Sequence, residues 1–263
     1  MNIIVCVKRV PETAEADLMI DKTGKEVMKS GLVFDLNEWD SYAIEEAIRL
    51  KEKQEGHVTV ISMGGEEANE CLRKCLAMGA DDAVRLTDAV FEGADGYATA
   101  RVLAESIRKL PFDLVLTGTQ AEDDGYGQVG GALAELLGIP HATVVNQIEA
   151  EAKKLKVHRE LEGGLEEILE IDLPALLTIQ TGINEPRYVS IMGIRKVAKK
   201  EIKVVGVKDL PLVANETGLS GSDTRIEKIS FPGTTGAVKM IEGNPEEVAL
   251  NVLNVLKEKG GLA

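Results

Sequence analysis

Apolar residues fall along this chain in two alternating rhythms. Asn2 to Val7 is a compact, β-branched run, and from Asp40 to Lys53 the apolar positions Ala43, Ile44, Ala47, Ile48 and Leu50 recur at helical spacing. That predicts a strand followed by a helix. The pair repeats as His57 to Met63 then Glu66 to Met78, Ala83 to Leu86 then Asp95 to Leu110, and Asp113 to Thr117 then Gln128 to Leu137, with Thr143 to Ile148 closing the series. Near-continuous apolar strands separated by helices belong to a parallel sheet covered on both faces, since such strands have no polar side to show. The pattern predicts a doubly wound α/β fold over roughly the first 150 residues, with ligands at the carboxyl ends of its strands.

The pattern then changes. Leu155 and Val157 alternate with Lys154, Lys156 and His158 in the run Lys153 to Glu160; Glu162-Gly163-Gly164 follows, and Glu166 to Ile171 alternates again. Period-two runs around a glycine pair predict a β-hairpin. Ala175 to Ile179 and Glu201 to Val205 add strands. From Pro211 to Thr235 the chain is rich in Gly, Ser, Thr, Asn and Pro without periodicity, which predicts an arm rather than core. Asn244 and Pro245 open a last helix with its body from Glu246 to Glu258. Two domains are expected: an α/β domain over 1–210 that includes the hairpin, and an arm plus helix over 211–263 that dock on something else.

The 263 residues, 44% of them hydrophobic, suffice for a sizeable core. A formal charge of -14 argues against nucleic acid as a general partner, because phosphate binding needs a basic surface. The first apolar run meets Lys8, and none approaches the ~20 residues of a membrane span, so we expect a cytoplasmic protein with no signal peptide and no membrane insertion. Cys6, Cys71 and Cys75 form neither an even set nor a CxxC pair. Cys71 and Cys75 would share a helix face without a third ligand, so buried thiols and no metal are expected.

Two stretches carry candidate chemistry. The loop after Thr117 has Gly118, Gly125, Gly127, Gly130 and Gly131 ahead of a helix, yet carries Glu122, Asp123 and Asp124 and no lysine. An anion there would be held by backbone N–H groups and the helix end near Gln128, a site that binds without catalysing. A flexible loop without a ligand stays open as the alternative. Ser62 to Glu66 resembles the loop of ATP pyrophosphatases, but Glu66-Glu67-Ala68 stand where an aspartate and a serine are needed. A universal-stress nucleotide loop fails too, since no Gly-Ser or Gly-Thr pair follows Gly131. His57, His141 and His158 are scattered and read as structural. The second stretch, Asn184 to Lys200, sets Ile191, Met192 and Ile194 in a local run of positive charge; it reads equally as a solvated helix end or as a docking surface with an apolar anchor and steering charges.

Several segments together resemble the electron-transfer flavoprotein β-subunit family. VHRELEGGLE (Val157 to Glu166) running into Leu173 to Thr178, NEPRY (Asn184 to Tyr188), VKRV (Val7 to Val10), AIEEAIRLKEK (Ala43 to Lys53) and AMGAD (Ala77 to Asp81) stand in the family's order and spacing, weakening only after about Leu210. The resemblance implies an adenine-nucleotide α-hydrolase-like, Rossmann-like fold and an obligate heterodimer with an α subunit that shares its FAD. It also implies electron carriage from flavin dehydrogenases, such as the acyl-CoA dehydrogenases of fatty acid β-oxidation, to a membrane quinone-linked or other acceptor oxidoreductase. Redox chemistry would lie on flavin, and no side chain is expected to be catalytic. Carried over position by position, the implied nucleotide pocket is Cys6, Asn37, Glu38, Trp39, Asp40 and Met63, with Asp123, Asp124, Gly125, Tyr126, Gly127, Gln128, Val129, Gly130, Gly131, Ala132 and Leu133. The implied partner surface is Tyr188, Ile191, Met192, Ile194, Arg195, Lys196 and Lys199, with Ile191 as aliphatic anchor.

What the pocket holds differs between branches of that family: structural AMP in the respiratory branch, a second FAD in the electron-bifurcating branch that uses NADH. The loop DDGYGQVGG shares an aspartate pair with the respiratory pattern DDDCNQTGQ and QVG with the bifurcating pattern DGDTAQVGP, and matches neither in full. AMP is the expectation, because the second aspartate and the threonine of the bifurcating loop are missing; a second FAD is the alternative. Remoter alternatives are an adenine-nucleotide hydrolase, for which catalytic residues are wanting, and a free-standing nucleotide sensor, which would be stable alone.

Overall fold

The computed structural model describes residues 1–14, 16–151, 153–233 and 240–260. The chain forms two compact units, Met1–Glu227 and Lys228–Ala263. Along the first run β1 (Asn2–Cys6), β2 (Arg9–Pro11), β3 (Phe34–Leu36), α1 (Glu38–Gln54), β4 (His57–Met63), α2 (Asn69–Met78), β5 (Asp82–Leu86) and α3 (Gly96–Ile107). There follow β6 (Leu114–Gly118), α4 (Val129–Leu137), β7 (His141–Ala150), β8 (Lys154–Leu161), β9 (Leu165–Asp172), β10 (Ala175–Ile179), α5 (Ile191–Val197) and β11 (Lys203–Val205). Nine strands make one sheet in the order β11-β5-β4-β1-β6-β10-β7-β8-β9, parallel except where β8 and β9 run as an antiparallel hairpin at one edge. The doubly wound α/β class and the hairpin addition are as the sequence predicts.

Alternation along each central strand splits the core into two layers. On β1, Ile3 and Val5 pack under α1 and α2, whereas Ile4 and Cys6 pack under α3 and α4. Cys6, Cys71 and Cys75 are all buried and free of disulfides. Burial pushes the Cys71 thiol up to about 12 and raises those of Cys6 and Cys75 well above the ordinary thiol range, so these are inert core groups.

Three features depart from the sequence reading. The parallel sheet is not finished by residue 150: β10 inserts between β6 and β7, parallel to both. Its five residues are all buried, the condition that a continuous apolar run satisfies at a sheet centre and not at a margin. β2 and β3 form a separate antiparallel ribbon too short for any period to declare itself. Part of the expected arm belongs to the first unit. Thr217 is buried and donates to the Val90 carbonyl at 3.1 Å. Asp95, while capping α3 through the Ala98 N–H (2.9 Å), also accepts from the amides of Asp223 and Thr224 (2.9 and 2.8 Å). These bonds move the boundary between compact units from the expected 210 to between Glu227 and Lys228. The arm's expected end, 234–235, lies outside the described residues.

In the second unit, α6 (Pro245–Glu258) starts with a capping box in which Asn244 and Glu247 bond each other's backbone. Its residues Leu250, Val252, Leu253, Val255 and Leu256 are exposed. Among the described residues no helix is long and apolar enough to cross a membrane.

Candidate functional site

From β1 the chain winds outward through β4 and β5, then returns across β1 to β6, so the topology reverses between β1 and β6. The carboxyl ends of those strands frame the crevice where such folds bind ligands. Asp40, in the first turn of α1, ties them together: its Oδ2 accepts the Lys8 N–H at 2.7 Å and its Oδ1 the Gly118 N–H at 3.0 Å. Gly118 has to be glycine, because a Cβ there would lie 2.5 Å from Asp40 Oδ1 and 2.7 Å from Trp39 Cβ. Asn37 fixes the following loop, donating to the Gln120 carbonyl (2.9 Å) and accepting the Glu122 N–H (3.1 Å).

Burial raises the Asp40 carboxyl to about 7, against amide donors that favour its ionised form. A folded pKa above the ordinary 3.8 means that the native state carries the extra proton between those two values. The contribution of Asp40 to stability is therefore full at low pH and falls as pH rises toward 7. Measured against a non-titrating Asp40→Asn chain, the wild type should lose roughly 2–3 kcal/mol between pH 5 and 7 in urea unfolding. A stability difference that stays flat over that range would refute the assignment.

The glycine loop itself is closed by a cation from far along the chain. Lys8 Nζ reaches Asp123 Oδ1 at 2.6 Å and Asp124 Oδ2 at 2.9 Å across 115 and 116 residues of sequence. Burial pulls the Lys8 ammonium down, but the two aspartates outweigh it and raise its pKa. Burial, and then the charge of Glu38, push the Glu122 carboxyl up. Gly125 and Gly127 take φ of +63° and +61°, a conformation that L side chains rarely adopt. No side chain caps α4, whose first intrahelical bond runs from Ala132 N–H to Gln128 (3.1 Å), which leaves the amides of Val129, Gly130 and Gly131 at the mouth of the crevice. Gly130 lets the helix start sit on the sheet: a Cβ there would lie 2.4 Å from Thr178 Cγ2 and 2.8 Å from Thr117 Oγ1.

The predicted pocket residues are thus placed unequally. Asn37, Asp40, Asp123, Asp124 and the glycines of the loop come together. Trp39 stands beside them, its indole N–H donating to Gln180 Oε1 at 2.8 Å. Cys6 and Leu133 are core residues of the layer under α3 and α4, and Val129, Ala132 and Met63 pack against that layer. Glu38, Tyr126 and Gln128 are exposed. Lys8 is a site residue that the loop's own sequence does not announce, because no cation stands within the loop; its one signal is a lysine placed just beyond a strand at the switch point. Nothing in the sequence marks the threonines that receive Gly130.

The second predicted cluster is presented by α1. Arg187 grips Glu45 (2.8 Å) and Glu52 (2.9 Å), while Asn184 donates to Glu46 at 3.0 Å and to the Tyr42 carbonyl at 3.1 Å. Burial alone would raise Glu45, but Arg187 and Arg49 hold it below its ordinary value. From this anchor the chain turns into α5, where Ser190 accepts the Gly193 N–H at 3.1 Å. Tyr188 is 91% exposed, Ile191 71% and Met192 64%, beside exposed Arg195, Lys196 and Lys199; Ile194 is half-buried.

Fold and site together define a doubly wound α/β protein with a switch-point crevice closed by an acidic glycine loop. The sequence profile of the electron transfer flavoprotein domain matches residues 27–210. The chain is 45% identical over 260 residues to the electron transfer flavoprotein subunit beta of Thermoanaerobacterium thermosaccharolyticum, spanning 98% of this chain and 99% of that one. It is 40% identical over 265 residues to the subunit of the same name from Methylophilus methylotrophus (99% and 100% of the two chains). It is also 40% identical over 262 residues to subunit CarD of the caffeyl-CoA reductase-Etf complex of Acetobacterium woodii (98% and 99%). The chain belongs to the electron-transfer flavoprotein β-subunit family. Membership implies a role in flavin-linked electron transfer and pairing with an α subunit.

Proposed function

We propose that this chain carries electrons, as one half of a heterodimer, from flavin dehydrogenases to an acceptor oxidoreductase in the cytoplasm, and that its crevice holds the AMP moiety of an adenine nucleotide. The observation that carries the reading is the uncapped start of α4, with three amides over a glycine loop and Lys8 neutralising the loop's own acids. The donor set fits a phosphate: Val129, Gly130 and Gly131 would hold it through backbone N–H groups. The Asp40 bonds to Lys8 and Gly118 keep the crevice walls in place. A bound flavin supplies the electron chemistry. The chain's own residues bind, orient and shape; the acids of the crevice are committed to amides or to Lys8. Tyr188, Ile191 and Met192, ringed by Arg195, Lys196 and Lys199, offer a dehydrogenase an apolar anchor with steering charge in an otherwise acidic protein.

A second reading, a second FAD in the crevice and NADH as a donor, is supported by one observation. Where the respiratory loop pattern has asparagine and threonine, Gly127 and Val129 supply no side-chain donor. Purifying the chain with its α subunit, denaturing the complex and quantifying the released nucleotides separates the readings. One FAD with one AMP is the expected result. Two FAD and no AMP would replace it with the second reading, and a complex without flavin would overturn both.

A further inference from the structure

A group of unsatisfied polar atoms lies on the far side of the sheet from α3 and α4. Ser62 and Arg85 are the penultimate residues of β4 and β5 and are direct neighbours in the parallel register. Alternation along each strand puts both on the face that Val58, Val60 and Ala83 bury under α1 and α2. α2 returns antiparallel over these strands, so its first turn lies above their carboxyl ends, and its first residue is Asn69. Ser62 is 1% exposed and its Oγ has no partner; Nε and Nη1 of Arg85 and Oδ1 of Asn69 are likewise buried without hydrogen bonds among the described residues. Unpaired buried polar groups are uncommon, and a guanidinium with two such nitrogens is costly unless something satisfies it.

The acids on the turn above do not supply that partner. Glu70 pairs with Arg9 at 3.1 Å, and the Glu67 carboxylate lies against Gly65. α2 continues directly from a 3-10 turn, Glu66–Ala68, whose Glu66 and Glu67 carbonyls accept the Asn69 N–H, so the donors on offer are the guanidinium and the hydroxyl. The Asn69 amide, turned about its last bond, presents NH2 instead of oxygen. On its other side Arg85 is paired in register with Val204, which is 53% exposed, so the β11 edge is the side of the group that faces solvent.

We propose that Ser62, Asn69 and Arg85 form a binding site for a small oxyanion, separate from the crevice at β1 and β6. Its ligand is a phosphate or carboxylate group, taken by a charge-assisted bond from Arg85 with Ser62 as second donor. The site is independent of the nucleotide reading, because it uses neither the glycine loop nor α4.

The test uses the purified heterodimer saturated with AMP, so that the crevice is filled, and follows thermal unfolding while inorganic phosphate or sodium acetate is added at constant ionic strength. At least one of the two should raise the transition by several degrees. Arg85→Gln should abolish the response, and Ser62→Ala, which keeps the charge, should weaken apparent affinity about tenfold. Crystals soaked in bromide should show an anomalous peak beside Arg85 and Ser62. A wild-type response matched by Arg85→Gln, no response to either anion, or a water at that position in place of bromide would each overturn the proposal.

Discussion

Gly130→Ala is expected to cost the chain the nucleotide proposed for its crevice. The new methyl would lie 2.4 Å from Thr178 Cγ2, and Thr178 cannot swing aside, since it is buried and its hydroxyl accepts the Val144 N–H at 3.0 Å. Thr117, 2.8 Å from the same point, closes the other direction. The helix start has to lift, and with it the amides that face the crevice. Overpacking of this kind costs about 1–3 kcal/mol, and nucleotide retained through gel filtration should fall at least about tenfold for a loss of ~1.4 kcal/mol in binding. Gly131→Ala is the control, because nothing stands within 4 Å of its Cβ position. Equal losses from both substitutions would mean that the close approach of α4 to the sheet does not matter.

The second large effect is expected from Arg187→Leu. Glu45 is 2% exposed, and Arg187 is the partner that bonds both of its oxygens as well as Glu52. Stripping a buried carboxylate of its main cation costs several kcal/mol; with Arg49 still at 2.8 Å we expect roughly 2–4 kcal/mol. The segment leading into α5 should loosen with it, so dehydrogenase-driven reduction of the complex should slow alongside the fall in unfolding midpoint. Ile191→Asp, at an exposed position, separates the two consequences. It should abolish dehydrogenase coupling while flavin content and stability stay as they are. Full electron transfer by Ile191→Asp would remove α5 from recognition altogether.

The strands and helices were legible because burial on one face or two writes its own period into the chain. What the period cannot carry is order across the sheet. Ala175 to Ile179 reads as an apolar strand, but nothing in those five residues says that it enters between β6 and β7. Within the site, the glycines were legible from their spacing ahead of a helix, and Asn37 and Asp40 through family resemblance, whereas Lys8, Thr117 and Thr178 were legible through neither, since their roles depend on contacts between residues well separated in sequence. Asp95 is the same case in the arm: a helix cap by local pattern, it also holds Asp223 and Thr224, which composition alone assigns to a linker.

The late arrival of β10 bears on how the protein is made. A ribosome delivers β6 and β7 well before Ile179, and until then each has an unpaired edge where the centre of the sheet belongs. At about 5–20 residues per second that gap stays open for several seconds. The intervening β8–β9 hairpin is built from local pairs and can form meanwhile, carrying the next segment back toward the slot. During that interval the nascent chain presents an apolar, edge-exposed intermediate, the kind of surface that holding chaperones bind and that pairs wrongly between neighbouring chains.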